Sequence, residues 1–173
     1  AYFDMKKLLH INAEYIRALS PDAVSEIATQ YFQLTGWQPV NLDLHVLSDL
    51  SSLIQERIEK LADIVKLVDW LFNEEPAVET DPKEMKKISK SMSADKVADV
   101  LDLAIEQLEK CDWNEEVIGE TINGIGHSLE TKSQVPIRVA VTGRRIGLPL
   151  FKPMEILGRQ KVVTRLKKAR ADL

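Results

Sequence analysis

Apolar residues recur along most of the chain at intervals of three and four positions, which places them on one face of an α-helix. Each of four such stripes predicts an amphipathic helix: Leu47 to Phe72, Val97 to Leu108, Val117 to Leu129, and Met154 to Leu166 after Pro153. The first stripe has no interruption in its spacing. It therefore predicts one long helix that carries Arg57 in its interior.

Polar residues mark the starts of two helices. Ser20 followed by Pro21 is typical of an N-cap with proline at the first helical position. Asp112 with Glu115 three positions later is an acidic variant of the capping box. We therefore expect one helix to begin at Pro21 and another to begin just after Asp112.

The segment from Val135 to Val141 departs from the helical pattern because it is rich in β-branched residues. Propensity alone predicts a short strand there, although Pro136 could equally be the first residue of a helix. Seven glycines and seven prolines are too few for a sandwich of many strands with frequent turns. The chain as a whole is therefore expected to be mainly helical.

An acidic connection divides the chain. Residues Asn73 to Lys83 contain two prolines and four acids with little apolar content, which is typical of a surface link between two compact units. We place the boundary near residue 75, giving a first helical bundle over residues 1–75 and a second over residues 76–173.

Composition is that of a globular chain, with 45% hydrophobic and 29% charged residues among 173. No stretch of 18 apolar residues and no export signal is present, so we expect no membrane association and a cytoplasmic location. Cys111 is the single cysteine, which excludes an intrachain disulfide, and with only three scattered histidines it cannot build a zinc site. The chain starts at Ala1 without methionine, which suggests a processed chain or part of a longer one.

Charge is distributed unevenly. Residues 1–129 carry 12 Lys/Arg and 24 Asp/Glu, whereas residues 130–173 carry 11 Lys/Arg and 3 Asp/Glu. A basic end on an otherwise acidic chain predicts a polyanionic partner for that end.

Catalytic motifs are scarce. The sequence has no glycine-rich phosphate loop, no histidine pair at helical spacing and no nucleophile with an adjacent base. Residues 87–91, KISKS, resemble the KMSKS loop of class I aminoacyl-tRNA synthetases, but that loop requires a nucleotide-binding fold around it. We interpret KISKS as a basic approach to the helix starting near Ala94 and expect no catalysis by this chain.

The basic third of the chain is better suited to binding. In residues 136–151, three arginines alternate with small and apolar residues before a bend at Gly147, Leu148 and Pro149. Guanidinium groups bind phosphates and base edges, and a bend leaves backbone groups for bases unstacked in an RNA loop. A basic helix pair that is simply solvated explains the composition equally well.

Three blocks carry a resemblance: FDMKKLLHINAEYIR at 3–17, LIQERIEKL at 53–61, and PIRVAVTGRRIGLPLFKPMEILGRQKVVTRL at 136–166. Together they resemble the C-terminal, anticodon-binding half of bacterial glutamyl-tRNA synthetase. The resemblance implies an all-α architecture of two small helical bundles that grip the anticodon stem and loop, with residues 135–141 helical. It also implies a parent ATP-dependent glutamate–tRNA ligase whose catalytic domain, absent here, uses ATP and Mg; this chain would hold no cofactor.

The resemblance assigns roles to individual residues. The anticodon-binding residues it implies are Arg57, Arg138, Gly147, Leu148, Pro149 and Leu150, with Leu150 as an apolar platform. Phosphate contacts are expected from Arg144, Arg145, Lys152 and the exposed basic face of the final helix, which includes Arg159, Arg165 and Lys168.

Arg57 offers a way to select the tRNA. Glutamate anticodons end in cytosine, whose O2 and N3 are acceptors, whereas the guanine that ends glutamine anticodons presents donors. An arginine has donors only and therefore favours cytosine, so we expect a discriminating enzyme that rejects glutamine tRNA. The alternatives are a non-discriminating enzyme that also charges glutamine tRNA, and a helical adaptor whose basic tail binds RNA generally or an acidic protein. Pairing of Arg57 with Glu56 or Asp63 on a solvated helix face is the structural alternative.

Overall fold

A computed structural model of the chain describes residues 4–37, 39, 43–72, 88 and 92–173. Within these residues the fold has nine α-helices and no strand, which confirms the all-α prediction. The helices are α1 Met5–Ala18, α2 Pro21–Thr35, α3 Leu44–Gln55, α4 Ala62–Phe72, α5 Ala94–Leu108, α6 Glu115–Ser128, α7 Gln134–Thr142, α8 Phe151–Leu157 and α9 Arg159–Ala171.

The helices belong to two compact units, Ala1–Glu74 with α1 to α4 and Glu75–Leu173 with α5 to α9. The acidic connection predicted at 73–83 lies outside the described residues, and so does the KISKS segment apart from Ile88. Of the helices that the structure describes, none is long and apolar enough to cross a membrane.

The first unit is organised around α2. Its start is as predicted, with Pro21 in the first turn and the Ser20 hydroxyl accepting the amide of Ala23 at 3.3 Å. Phe32 from this helix packs on Trp37, with ring centroids 4.5 Å apart, and Trp37 contacts Phe72 at the end of α4. The apolar faces of the other helices complete the core, with Ile16, Leu47, Leu50, Ile54, Ile64 and Val68 among the buried side chains.

The single long helix predicted from Leu47 to Phe72 is wrong, because α3 ends at Gln55 and α4 begins at Ala62. In the intervening turn, the Asp63 carboxylate accepts the amides of Glu59 and Lys60 at 3.3 and 3.2 Å. The Asn12 side chain donates to the Glu59 carbonyl. Side chains thus satisfy the backbone groups that leave the helical pattern, and Arg57 lies in this turn rather than inside a helix.

Gln55, the last residue of α3, joins the turn to α1. Its side-chain amide is buried and donates to the carbonyls of Ile16, Arg17 and Leu19, at 3.3, 2.8 and 2.9 Å. These carbonyls lie at the carboxyl end of α1, where few backbone amides remain to bond them; that of Ile16 also accepts the amide of Leu19. One side chain therefore fixes where α1 ends relative to the Arg57 turn.

In the second unit, the strand that propensity predicted for residues 135–141 is wrong, and the helix that the resemblance implied is confirmed as α7. Ile137 and Val141 are fully buried on one face of this helix, so tertiary packing outweighs the local preference of β-branched residues. Pro136 falls in the first turn, where the amide it lacks has no intrahelical partner.

Two helix boundaries in the second unit also differ from prediction. The N-cap of α6 is Asn114, whose side chain accepts the amide of Val117 at 3.0 Å, so the helix starts later than the Asp112 signal indicated. The predicted final helix is divided into α8 and α9 at Gly158, whose φ of 88° suits glycine and strains other residues. The sequence spacing did not reveal either change.

The role of Gln55 leads to a stability prediction. Gln55→Leu keeps the side-chain volume but removes the side-chain donor to the carbonyls of Ile16, Arg17 and Leu19, and should lower the free energy of unfolding by about 1–3 kcal/mol. Urea unfolding followed by circular dichroism measures this change. Gln30→Leu, on the exposed face of α2, is the matched control and should shift it by less than about 0.5 kcal/mol. Equal losses in the two variants would contradict the assigned role.

Candidate nucleic-acid interface

A short loop, residues 143–150, connects α7 to α8 and contains most of the predicted binding residues. It begins at Gly143, which has a φ of 71° and donates its amide to the Val139 carbonyl at 2.7 Å. The Thr142 hydroxyl donates to the Arg138 carbonyl at 2.8 Å and accepts the Arg144 amide at 3.2 Å. The first residues of the loop are therefore held close to the end of α7.

Arg138 reaches from α7 to the other end of the loop. Its Nη1 donates to the Leu148 carbonyl at 2.6 Å, and a Cβ on Gly147 would lie 3.9 Å from the same nitrogen. The structure thus brings together Arg138, Gly147 and Leu148, three of the residues to which the resemblance assigned anticodon binding. In this arrangement part of the guanidinium holds the loop backbone in place.

Leu148 and Leu150 are only 2% and 3% exposed. Both side chains are buried in the second unit and hold the loop to it. Leu150 therefore does not offer the exposed apolar platform that was expected. The exposed apolar residue of the loop is instead Ile146, at 85%. No signal in the sequence separates Ile146 from Leu148, because both are apolar residues beside Gly147 in the same predicted bend.

The predicted phosphate-binding residues fall into two groups. Arg144 and Arg145 are consecutive residues of the loop, and both are partly exposed. Lys152, on α8, donates to the Glu155 carboxylate at 2.8 Å. A neighbouring acid therefore offsets the charge of Lys152. The two loop arginines directly precede Ile146 in the chain.

The final helix differs most from expectation. Arg165 is 3% exposed, so the prediction that it lies on an exposed basic face is wrong. Lys167 contacts Glu109 at 2.6 Å, and Arg170 contacts Asp102 at 2.9 Å. The hydrogen bond to Asp102 raises the pKa of Arg170 above its usual value.

Arg159, at the start of α9, is also engaged within the second unit. Its Nη2 donates to the Cys111 carbonyl at 2.5 Å, and its guanidinium lies over the Trp113 ring, 5.5 Å from the centroid. Several basic side chains in the C-terminal third therefore contact other residues of the second unit.

Arg57, in the first unit, follows the end of α3. Its Nη1 donates to the Leu53 carbonyl at 3.0 Å and lies 3.6 Å from the Glu56 carboxylate. The Arg57 amide bonds to Ile54 as the helix tightens, so its side chain supplies the donor that Leu53 would otherwise receive from the backbone. Of the two acids considered from the sequence, Glu56 contacts Arg57, and Asp63 caps the turn.

Both local contacts of Arg57 use the same nitrogen. Among the residues that the structure describes, neither Nε nor Nη2 has a partner, and the side chain is 35% exposed. These two nitrogens form the forked edge with which arginine makes paired hydrogen bonds. The structural contact and a paired contact to a ligand are therefore compatible.

Comparisons with known proteins identify the family of the chain. The sequence model of a family described as "Anticodon binding domain" matches residues 13–170. The chain is 38% identical to a glutamate–tRNA ligase of Frankia casuarinae and 40% identical to one of Salinispora arenicola, in both cases over all of this chain. It spans only 37% and 38% of the lengths of those relatives.

The fold is also similar to a solved structure, that of a glutamate tRNA ligase from Elizabethkingia meningosepticum in complex with its amino acid. The TM-score is 0.80 at 21% identity, covering 100% of this chain and 33% of that one. Because the family model spans nearly the whole sequence and the helical fold matches, this chain belongs to the family of anticodon-binding domains found in bacterial glutamate–tRNA ligases.

Proposed function

We propose that this chain binds the anticodon stem-loop of glutamate tRNA and presents it to the catalytic part of a longer glutamate–tRNA ligase. The observation that carries this proposal is the 143–150 loop, whose backbone is held by Arg138 while Ile146 is exposed directly after two partly exposed arginines, Arg144 and Arg145. An exposed apolar side chain beside guanidinium groups suits RNA bases that have left their stack.

The exposure of each loop residue indicates which part of the RNA it would contact. Arg144 and Arg145 contact phosphates and fix the position of the RNA. Gly147, Leu148 and Pro149 present backbone groups to base edges, and Ile146 supplies the apolar surface at first assigned to Leu150. The Leu148 and Leu150 side chains keep the backbone in place.

The parent protein is proposed to be an ATP-dependent ligase that attaches glutamate to tRNA in the cytoplasm. ATP and Mg would bind in the catalytic domain that lies outside this chain, in cis. We assign no catalytic residue to the chain itself. Its two bundles would share recognition, with Arg57 in the first and the 143–150 loop in the second.

Arg57 is proposed to read the last anticodon base. Its Nε and Nη2 would donate to O2 and N3 of cytosine, while Nη1 keeps its contact with Leu53. Guanine would place donors against this edge, and unpaired donors at a contact cost free energy. The enzyme is therefore expected to discriminate against glutamine tRNA, and a non-discriminating enzyme is the alternative.

Selectivity at Arg57 can be measured with two stem-loops that differ only in the last anticodon base. The wild-type chain should prefer C over G by about 1–3 kcal/mol, and Arg57→Gln should lose this preference because an amide can donate or accept. Fluorescence anisotropy at fixed salt measures both affinities. Arg17→Gln is the control, since Arg17 is exposed on α1 beside Glu14, and it should retain the preference. Equal wild-type affinities for C and G would show that Arg57 does not discriminate.

The phosphate contacts can be separated from other charges by salt dependence. Removing both Arg144 and Arg145 as alanine variants should flatten the plot of log affinity against log salt by about 0.7–0.9 per lost contact. Lys167→Ala with Arg170→Ala removes the same charge from pairs on α9 and should leave the slope unchanged. A flattened slope in this control, with a normal slope in the loop variant, would place the RNA on α9 instead. Equal affinity of the wild-type chain for unrelated stem-loops would favour a general RNA-binding adaptor.

A further inference from the structure

Arg165 is a charged residue in the interior of the second unit. It lies on α9 between Val162 and Leu166, which are both fully buried, and only 3% of it is exposed. Burial lowers the pKa of its guanidinium, as expected when a charged group loses water. An apolar side chain would occupy this position with less desolvation, so a specific contact must favour arginine.

That contact lies at the end of α7. Arg165 Nη1 donates to the Val141 carbonyl at 2.8 Å. Val141 is in the last turn of α7, where carbonyls lose their intrahelical partners and a positive charge is favourable. The next residues are Thr142 and Gly143, at which the chain leaves the helix and enters the loop. Arg165 therefore holds the point from which the loop starts.

Arg138 acts at the opposite end, through its bond to the Leu148 carbonyl. Because Arg138 also lies on α7, its position depends on where this helix is held. Two arginines thus fix the loop: Arg165 holds the helix end, and Arg138 holds the last part of the loop to that helix. Neither contact requires RNA.

We propose that Arg165 is a positioning residue for the RNA-binding loop, which orders residues 143–148 before RNA arrives and touches no RNA itself. This inference rests on the proposed function of the loop. It replaces the phosphate contact that the sequence predicted for Arg165, since a buried side chain cannot reach a phosphate. Preordering the loop matters because a flexible loop loses conformational entropy on binding.

Arg165→Met distinguishes positioning from a general contribution to stability. Methionine fills the buried site without a charge, and exchanging a buried ion for an apolar residue is often neutral or stabilising. A merely structural arginine would therefore leave both the loop and RNA affinity unchanged in a folded variant. For a positioning residue, we expect the amides of residues 143–148 to exchange hydrogen about tenfold faster, the factor for one charge-assisted hydrogen bond.

The measurement is hydrogen exchange by NMR on the free chain, together with stem-loop affinity. Arg165→Met should weaken binding of the glutamate stem-loop by about tenfold, while α5 amides exchange as in the wild type. Arg165→Lys keeps one charged donor, so its loop exchange rates and stem-loop affinity should lie between those of the wild type and of Arg165→Met. This variant replaces Arg165→Met in the test if the methionine variant does not fold. Val100→Ala is the control, because it creates a cavity beside the buried face of α5. It should lower the free energy of unfolding without a selective increase in the hydrogen-exchange rates of the loop.

Wild-type exchange rates in residues 143–148 of the folded Met and Lys variants would overturn the proposal, whatever the RNA result. The two proposals fail separately. If the wild-type chain binds no stem-loop, the proposed function is wrong, while the exchange rates still decide whether Arg165 positions the loop.

Discussion

The carboxyl ends of helices are held in this protein by donors from other side chains. A helix leaves its last carbonyls without backbone partners. In α1, α3 and α7, long polar side chains donate hydrogen bonds to such carbonyls. Gln55 does so for α1, Arg57 for α3 and Arg165 for α7. The geometry of the turns that follow α3 and α7 depends on these bonds, and both turns carry proposed RNA-binding residues.

This constraint explains why some of the fold could be predicted and some could not. Spacing of three and four correctly predicts helices, because it records which face is buried. It cannot predict the turn after Gln55, since Ile54, Ile58 and Leu61 keep the same spacing through the break. The break depends on Asn12, which lies far away in the sequence and donates to the Glu59 carbonyl.

Two predictions were wrong for a related reason, the strand from propensity and the basic surface from charge. Neither quantity includes the residues that a side chain contacts in the folded chain. Residues 135–141 form a helix because Ile137 and Val141 pack inside the second unit. The basic excess of the last 44 residues suggested a binding surface, yet cations of α9 contact Asp102 in α5, Glu109 directly after α5, and the carbonyl of Val141. Of the positive residues in this region, Arg144 and Arg145 are the ones that the loop presents beside an exposed apolar side chain. The arginines and the bend at Gly147, Leu148 and Pro149 already indicate a binding segment, and the resemblance assigns these residues to the anticodon.

We propose that RNA contacts the 143–150 loop and the Arg57 turn, while the exposed face of α9 remains clear of it. An NMR titration of the isotope-labelled chain with the glutamate anticodon stem-loop tests these contacts, using backbone amides and the Ile146 methyl groups. Large shift changes are expected at Ile146, Gly147 and Arg57, with little change at Lys161 and Lys167. The largest changes at those two lysines, with the Ile146 methyl groups unmoved, would contradict this proposal.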